Sequence, residues 1–412
     1  MNLEDMSMDF KNIHPKKLLG TAFVGVLLLI GIFKVIGRVG FHNNSSLRKG
    51  STENTEKTTN KPEASEDMKF STTTREAAIS HNLYQDNETL QDILHNENFL
   101  EQMKLWNGKA LFVQSNQDQS ELHYYYYSSL YRDTNQNSIQ DARDEGVFNP
   151  ASTVKVGLAA LVLEQLSKID INRQAEYRVL GSQDWYSFEE DIRRTLVISD
   201  NESTNRLILW LGFDRINYGF KDKGLNYLEI NRLMLDRGTL IQSPPFEVRL
   251  GENVIQQEAM RATVIPACYE VDNKVGNCST ANDLIEGLIR LIQPSYFDED
   301  NGFEISQSDR EWMQEVMSHK PRQEGFDYAD NYCRFLTNIE QRFASESGKM
   351  LSKCGVSLFT NTYTDLSYLK TDLGQEYYIL LSVSPPISVS EEETILWMNL
   401  IAETILEELP EF

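Results

Sequence analysis

Phe148-Asn149-Pro150-Ala151-Ser152-Thr153-Val154-Lys155, continued by Val156-Gly157-Leu158-Ala159-Ala160-Leu161, is the stretch that decides how this chain is read. A proline turn leads into Ser-x-x-Lys and then into apolar residues at helical spacing. Pro150 cannot sit inside a helix, because it lacks an N–H and its ring clashes with the preceding turn, but it suits a helix start. Ser152 then falls in the first turn, and Lys155, three residues on, shares its face. That spacing sets an amine beside a hydroxyl at a helix N-terminus. An amine able to shed its own proton can take the serine proton and make the oxygen a nucleophile. The N-terminal end of the helix favours negative charge developing nearby. The plainer alternative is a serine N-cap followed by a solvated lysine, and Ser-x-x-Lys alone does not exclude it. Two partner motifs further along the chain tip the balance.

The chain has 412 residues, enough for one large domain or two ordinary ones. Its formal net charge of −23 argues against nucleic acid or an anionic membrane surface as a partner held by general electrostatics. The four cysteines, Cys268, Cys278, Cys333 and Cys354, form no Cys-x-x-Cys or Cys/His cluster, and the six histidines are scattered, so neither a metal nor a cofactor is expected. Cys268 and Cys278 would close a short loop and are the favoured disulfide pair, with free buried thiols as the alternative.

Residues 1–17 are short, polar and carry Lys11, Lys16 and Lys17. Residues 18–37 are apolar, with Lys34 near the end where it can snorkel, and about 20 such residues span a bilayer core. No small-x-small cleavage site or lipobox cysteine follows, so an uncleaved single-span anchor is expected. Arg38, Arg48 and Lys49 follow the span and leave its orientation open on charge alone. Residues 38–82, rich in Ser, Thr, Asn, Glu and Lys, read as a polar tether. From residue 83 to 412 the apolar density is that of a folded domain. Leu90 to Met103 has helical spacing. Lys109 to Gln114 and Leu122 to Tyr127 read as a hairpin, and Asp133 to Gly146 as a polar insertion. Helices follow over Thr153 to Leu166, Phe188 to Ile198, Glu202 to Leu211, up to Ile292 from a Thr280 cap, and Ser308 to Ser318. Gly219 to Ala267, with Pro244-Pro245 and weak periodicity, reads as a long irregular excursion of the functional or mobile kind. Met350 to Leu358, Asn361 to Leu369 and Glu376 to Val383 form a strand meander, closed by an amphipathic helix from Ser390 to Leu409. The early hairpin and the late meander are expected to join as one antiparallel five-stranded sheet in an α/β (α+β) domain. The terminal helices would cover one face and an all-helical subdomain the other.

Ser199-Asp200-Asn201 stands between two helices, and Lys353-Cys354-Gly355-Val356-Ser357 lies on the first strand of the meander. Either alone reads blandly, as a helix cap and as an ordinary strand. With Ser152-Thr153-Val154-Lys155 they make an ordered set, S-x-x-K, S-D-N and K-x-G, that resembles the serine β-lactamase and penicillin-binding protein superfamily, in its class A-like branch. The resemblance spans Leu83 to Leu409. It implies a membrane-anchored serine hydrolase, with its catalytic domain outside the cytoplasm, acylated by a β-lactam-like small molecule or a D-amino-acid peptide amide of peptidoglycan. The alternative is a non-catalytic or slowly acylating ectodomain that binds such ligands. By resemblance, Ser152 attacks the carbonyl and Lys155 deprotonates it. Ser199 relays a proton to the leaving nitrogen, and Asn201 orients substrate and Lys155. Lys353 holds a substrate carboxylate, and the N–H groups of Ser152 and Val356 form the oxyanion hole. Gly355 lets substrate approach the strand closely.

Two positions depart from the family pattern. Cys354 stands where the family has Thr or Ser, and its thiol is a poorer donor to a substrate carboxylate. A small-residue replacement is the favoured account, ahead of a redox-sensitive thiol or a pairing with Cys333. A deacylating glutamate is not evident in Gly219 to Ala267. Glu229, Glu247, Glu252 and Glu258 are the candidates, each expected to be a solvated surface charge.

Overall fold

The hairpin and the meander do form one sheet. The computed structural model describes residues 87–116, 121–128, 146–235, 242–263, 276–297, 301–358 and 360–410, all within the unit Thr74–Phe412. The expected anchor at 18–37, the tether at 38–82 and most of the 133–146 insertion lie outside the described residues. Among the described residues no helix is long and apolar enough to cross a membrane.

In chain order the elements begin with helices α1 (Asn87–Asn96) and α2 (Phe99–Leu105) and strands β1 (Lys109–Ser115) and β2 (Leu122–Ser128). A 3-10 turn at Ala151–Val154 runs into α3 (Lys155–Lys168), followed by β3 (Glu176–Val179), β4 (Tyr186–Ser187), α4 (Phe188–Val197), α5 (Asn201–Leu211) and α6 (Phe213–Asp222). Strands β5 (Gln242–Ser243), β6 (Phe246–Leu250), β7 (Asn253–Gln257) and β8 (Met260–Arg261) come next, then α7 (Ala281–Ile292), α8 (Gln307–Ser318) and α9 (Thr337–Phe343). The chain closes with β9 (Lys349–Ser357), β10 (Thr362–Lys370), β11 (Glu376–Val383) and α10 (Glu391–Glu408).

The five-stranded sheet has the order β2-β1-β11-β10-β9, with every neighbouring pair antiparallel. Both of its faces are covered, so β11 is buried along its whole length. Successive side chains still point to opposite faces. Ala110, Phe112, Ile379 and Leu381 meet Leu90, Leu94, Met398 and Ile405 of the terminal helices. Leu111, Val113, Leu380 and Tyr378 meet the larger core built on α3, α5 and α7. Strand β9 is left at the edge, and the motif Lys353-Cys354-Gly355 lies on it.

Three expectations are corrected. The single helix over Leu90 to Met103 is two helices, because Asn98 takes a left-handed conformation (φ 62°) that asparagine tolerates and a helix does not. The second subdomain is not all-helical: β4-β3-β6-β7 form a four-stranded sheet, and β5 and β8 pair beside it. The excursion after Gly219 therefore includes a hairpin, β6–β7, whose β6 joins β3 through pairs such as Tyr177↔Val248. Tyr177 anchors it by stacking on Phe188 at 4.1 Å between ring centroids and by donating its hydroxyl to Asp191.

Candidate active site

The turn that carries Ser152 is fixed from both sides. Asn149 Oδ1 accepts from the Ala151 N–H at 2.9 Å, and the Thr153 N–H and hydroxyl both donate to the Pro150 carbonyl, at 3.2 and 2.6 Å. These bonds make a tight 3-10 turn before the α-helix takes over at Lys155. Ala151 is held at φ 50°, a conformation a residue with a Cβ rarely adopts unless its surroundings impose it. Those surroundings include β9. Asn149 Nδ2 donates to Ser357 Oγ at 3.3 Å, and a Cβ placed on Gly355 would lie 2.7 Å from the Ser152 nitrogen and 3.0 Å from the Pro150 oxygen. Only glycine lets the strand backbone lie this close to the nucleophile turn.

Lys155 begins α3 and has no exposed surface. Its ammonium donates to the Ser199 carbonyl at 2.7 Å, to Ser199 Oγ at 3.1 Å and to Asn201 Oδ1 at 2.8 Å. So the first two motifs converge on one amine. The loop that meets it is itself strained: Ser199 has φ 55°, and Asp200 caps α5 by accepting from the Ser203 N–H at 2.8 Å. Burial pushes the Lys155 ammonium down to about 7, against the pull of the Asp200 carboxylate. Partial burial works the other way on Asp200, but the Ser203 hydrogen bonds and the Arg194 and Arg206 guanidiniums hold its carboxyl below the usual range.

Lys353 is equally buried. Burial pushes its ammonium well below the usual lysine range, the charge of Lys155 pushes the same way, and Asp365 opposes both. The two amines are thus near enough to interact. Its contacts differ from those of Lys155: Nζ donates to the Cys354 carbonyl at 3.0 Å and lies 3.3 Å from Cys333 Sγ. Cys354 carries no thiol. It is bonded to Cys333, with the two Cα atoms 5.1 Å apart, which corrects the small-residue reading of that position. Cys278 is also disulfide-bonded, and Cys268, its expected partner, lies outside the described residues. Val356 is half buried on the edge strand, opposite Tyr363.

The glutamates of the excursion separate into two kinds. Glu229 is buried, accepts from Asn231 Nδ2 at 2.8 Å and pairs its backbone with Cys278. Glu247 is buried and takes 2.6 Å hydrogen bonds from Arg178. Neither is the solvated charge expected of it, whereas Glu252 and Glu258 are exposed. Among the described residues no three His, Cys, Asp or Glu side chains gather as metal ligands. The sequence pattern gives no role to Asn149 or Tyr332, and it offers Cys333 only as an alternative partner of Cys354. Asn149 braces the Ser152 turn from inside the same motif. Tyr332 sits next to Cys333 and packs its ring on Tyr328 at 4.6 Å between centroids, and its phenol is pushed up by burial and by the charges of Tyr328, Glu391 and Asp200.

Comparison with known proteins bears on the family and the fold. A family model described as the beta-lactamase enzyme family matches residues 113–409, and the chain belongs to that family. Among solved structures, it is similar to the chromosome-encoded β-lactamase of Vibrio parahaemolyticus, with 13% identity, a TM-score of 0.51, and 76% of this chain and 98% of that one covered. It is similar also to the TLA-3 extended-spectrum β-lactamase, with 12% identity, a TM-score of 0.51, and 78% and 98% covered. Likeness at such identity shows a shared fold. No curated protein sequence matches the chain.

Proposed function

We propose that this chain is a membrane-anchored serine acyl-transfer hydrolase, held by residues 18–37 with its folded domain outside the cytoplasm. Its acyl donor is a β-lactam or a D-amino-acid peptide amide of the cell wall. The observation that carries the reading is the buried Lys155 amine, shared by Ser199 and Asn201 one helix turn after Ser152. A lysine poised near pH 7 is a base at working pH. It takes the Ser152 proton as Oγ attacks the carbonyl. The tetrahedral oxyanion is held by the N–H groups of Ser152 and Val356. The proton passes by way of Ser199 to the leaving nitrogen, the C–N bond breaks, and the acyl-enzyme remains. Asn201 fixes the base, Lys353 can supply positive charge for an anionic substrate group once it is uncovered, and Gly355 keeps the strand against the serine turn.

A second reading, an ectodomain that acylates and releases slowly, is supported by the glutamates. Glu229 and Glu247 are committed to partners of their own, Asn231 and Arg178. One experiment addresses both readings. A fluorescent penicillin should label the protein covalently, and Ser152→Ala should remove the label. Label that persists for hours on the wild type favours the slow ectodomain, and fast loss favours hydrolysis. Undiminished labelling of Ser152→Ala would rule out this nucleophile.

A further inference from the structure

The segment between α8 and α9 ties the two motif-bearing regions together. At one end Glu324 accepts from Arg193 at 2.6 Å, and Phe326 lies under the Arg193 and Arg194 guanidiniums at the end of α4, next to the Ser-Asp-Asn loop. At the other end the Phe335 N–H donates to Asp365 on β10 at 3.1 Å. Between them Cys333, in a left-handed conformation (φ 55°), crosses to β9 and is bonded to Cys354. Its sulfur lies 3.3 Å from the Lys353 ammonium, which has no exposed surface. A sulfur is a weak acceptor, so this contact covers the cation more than it satisfies it.

We propose that the Cys333–Cys354 disulfide determines specificity: closed, it straps the segment over Lys353 and keeps an anionic substrate group from that amine; opened, it admits one. The proposal rests on the serine acyl-transfer reading above. In the closed form the acyl donor is recognised without a carboxylate–ammonium pair, which favours neutral amides. Opening requires a dithiol. Its thiolate attacks the half-buried Cys333 sulfur, the S–S bond breaks, and Cys354 leaves as a thiolate and takes a proton. The second thiol of the reductant then displaces Cys333, which is also protonated. Two electrons and two protons have moved, and the dithiol has become a disulfide. Lys353, uncovered and hydrated, regains the charge that burial suppresses. A compartment outside the cytoplasm keeps the strap closed by default.

The test uses one penicillin in two forms, the free carboxylate and its methyl ester, on the oxidised wild type, the dithiol-treated wild type and Cys333→Ala. Ester labelling reads Ser152 alone. The ratio of free-acid to ester labelling rates should rise about tenfold on reduction and in Cys333→Ala, a carboxylate–ammonium contact being worth about that much. Cys333→Ala distinguishes this bond from the one at Cys278, and reduction of folded protein covers the case in which the variant folds poorly. Labelling of Ser152 by both forms with an unchanged ratio overturns the strap and leaves the hydrolase reading standing. No labelling by either form in any sample overturns both.

Discussion

Two lysine amines, each without exposed surface, lie near enough to feel one another's charge, and the protein treats them differently. Lys155 is surrounded by three oxygen acceptors from Ser199 and Asn201. Lys353 has one carbonyl and one sulfur. Burial depresses both, but at Lys155 the Asp200 carboxylate opposes the fall, which stops at about 7. At Lys353 burial pushes the ammonium well below the usual lysine range, and the like charge of Lys155 adds to it. The first is thereby tuned to exchange a proton near neutral pH, and the second has its charge disfavoured for as long as it stays covered. Burial alone does not assign a lysine its task; the acceptors around it do.

Removing the tuned amine should have the largest effect. Lys155→Ala should lower the rate of penicillin labelling by about 10²–10⁴-fold, the usual contribution of a positioned general base. The circular dichroism spectrum should keep its folded form, since the buried cation costs desolvation energy. Labelling at the wild-type rate would remove Lys155 from the mechanism and leave the two amines on a par.

This asymmetry was only partly legible in the sequence. The five strands of the main sheet and helices α3, α4, α5, α7, α8 and α10 follow from local patterns, apolar periodicity bounded by caps such as Ser187, Thr280 and Ser390. The smaller sheet does not. Strands β5 and β8 are two residues long, and β7 is exposed for most of its length, so neither length nor alternation announces them. What makes β6 a strand is Tyr177 of β3, some seventy positions earlier in the chain. Helix α9, at seven residues, is similarly short. The three motifs gave the site because each is contiguous. The Cys333–Cys354 bond was legible only as a less favoured alternative, since a pairing across 21 residues depends on how the intervening segment turns. The surroundings of Lys155 could be guessed from its motif, and those of Lys353 could not.

The next effect down is in pH. If neutral Lys155 is the base, the labelling rate should rise about tenfold per unit of pH below the midpoint and level off above about 7. Stability carries the same signature with a definite sign. The folded-state value lies below that of an unfolded lysine, 10.5, so between about 7 and 10.5 the unfolded chain binds the extra proton. Stability from this group therefore rises with pH across that window. A labelling rate flat from pH 5 to 9, in a protein that Ser152→Ala inactivates, would show that the two amines differ in contacts but not in tuning.

The smallest expected effect separates them most sharply. Burial and the charge of Lys155 both push the Lys353 ammonium well below the usual lysine range. The fall at Lys155 comes from burial, opposed by the Asp200 carboxylate, and not from the charge of Lys353. Replacing Lys353 by an apolar chain of similar length should then leave the midpoint of the labelling profile where it was. Lys353→Met is that variant, and its profile should still turn near pH 7, within about half a unit. An upward displacement of a unit or more would mean that a charged Lys353 had been holding Lys155 down. In that case the two amines form one coupled pair that loses its protons jointly. The division of labour between a base and a covered cation would then give way to a shared proton.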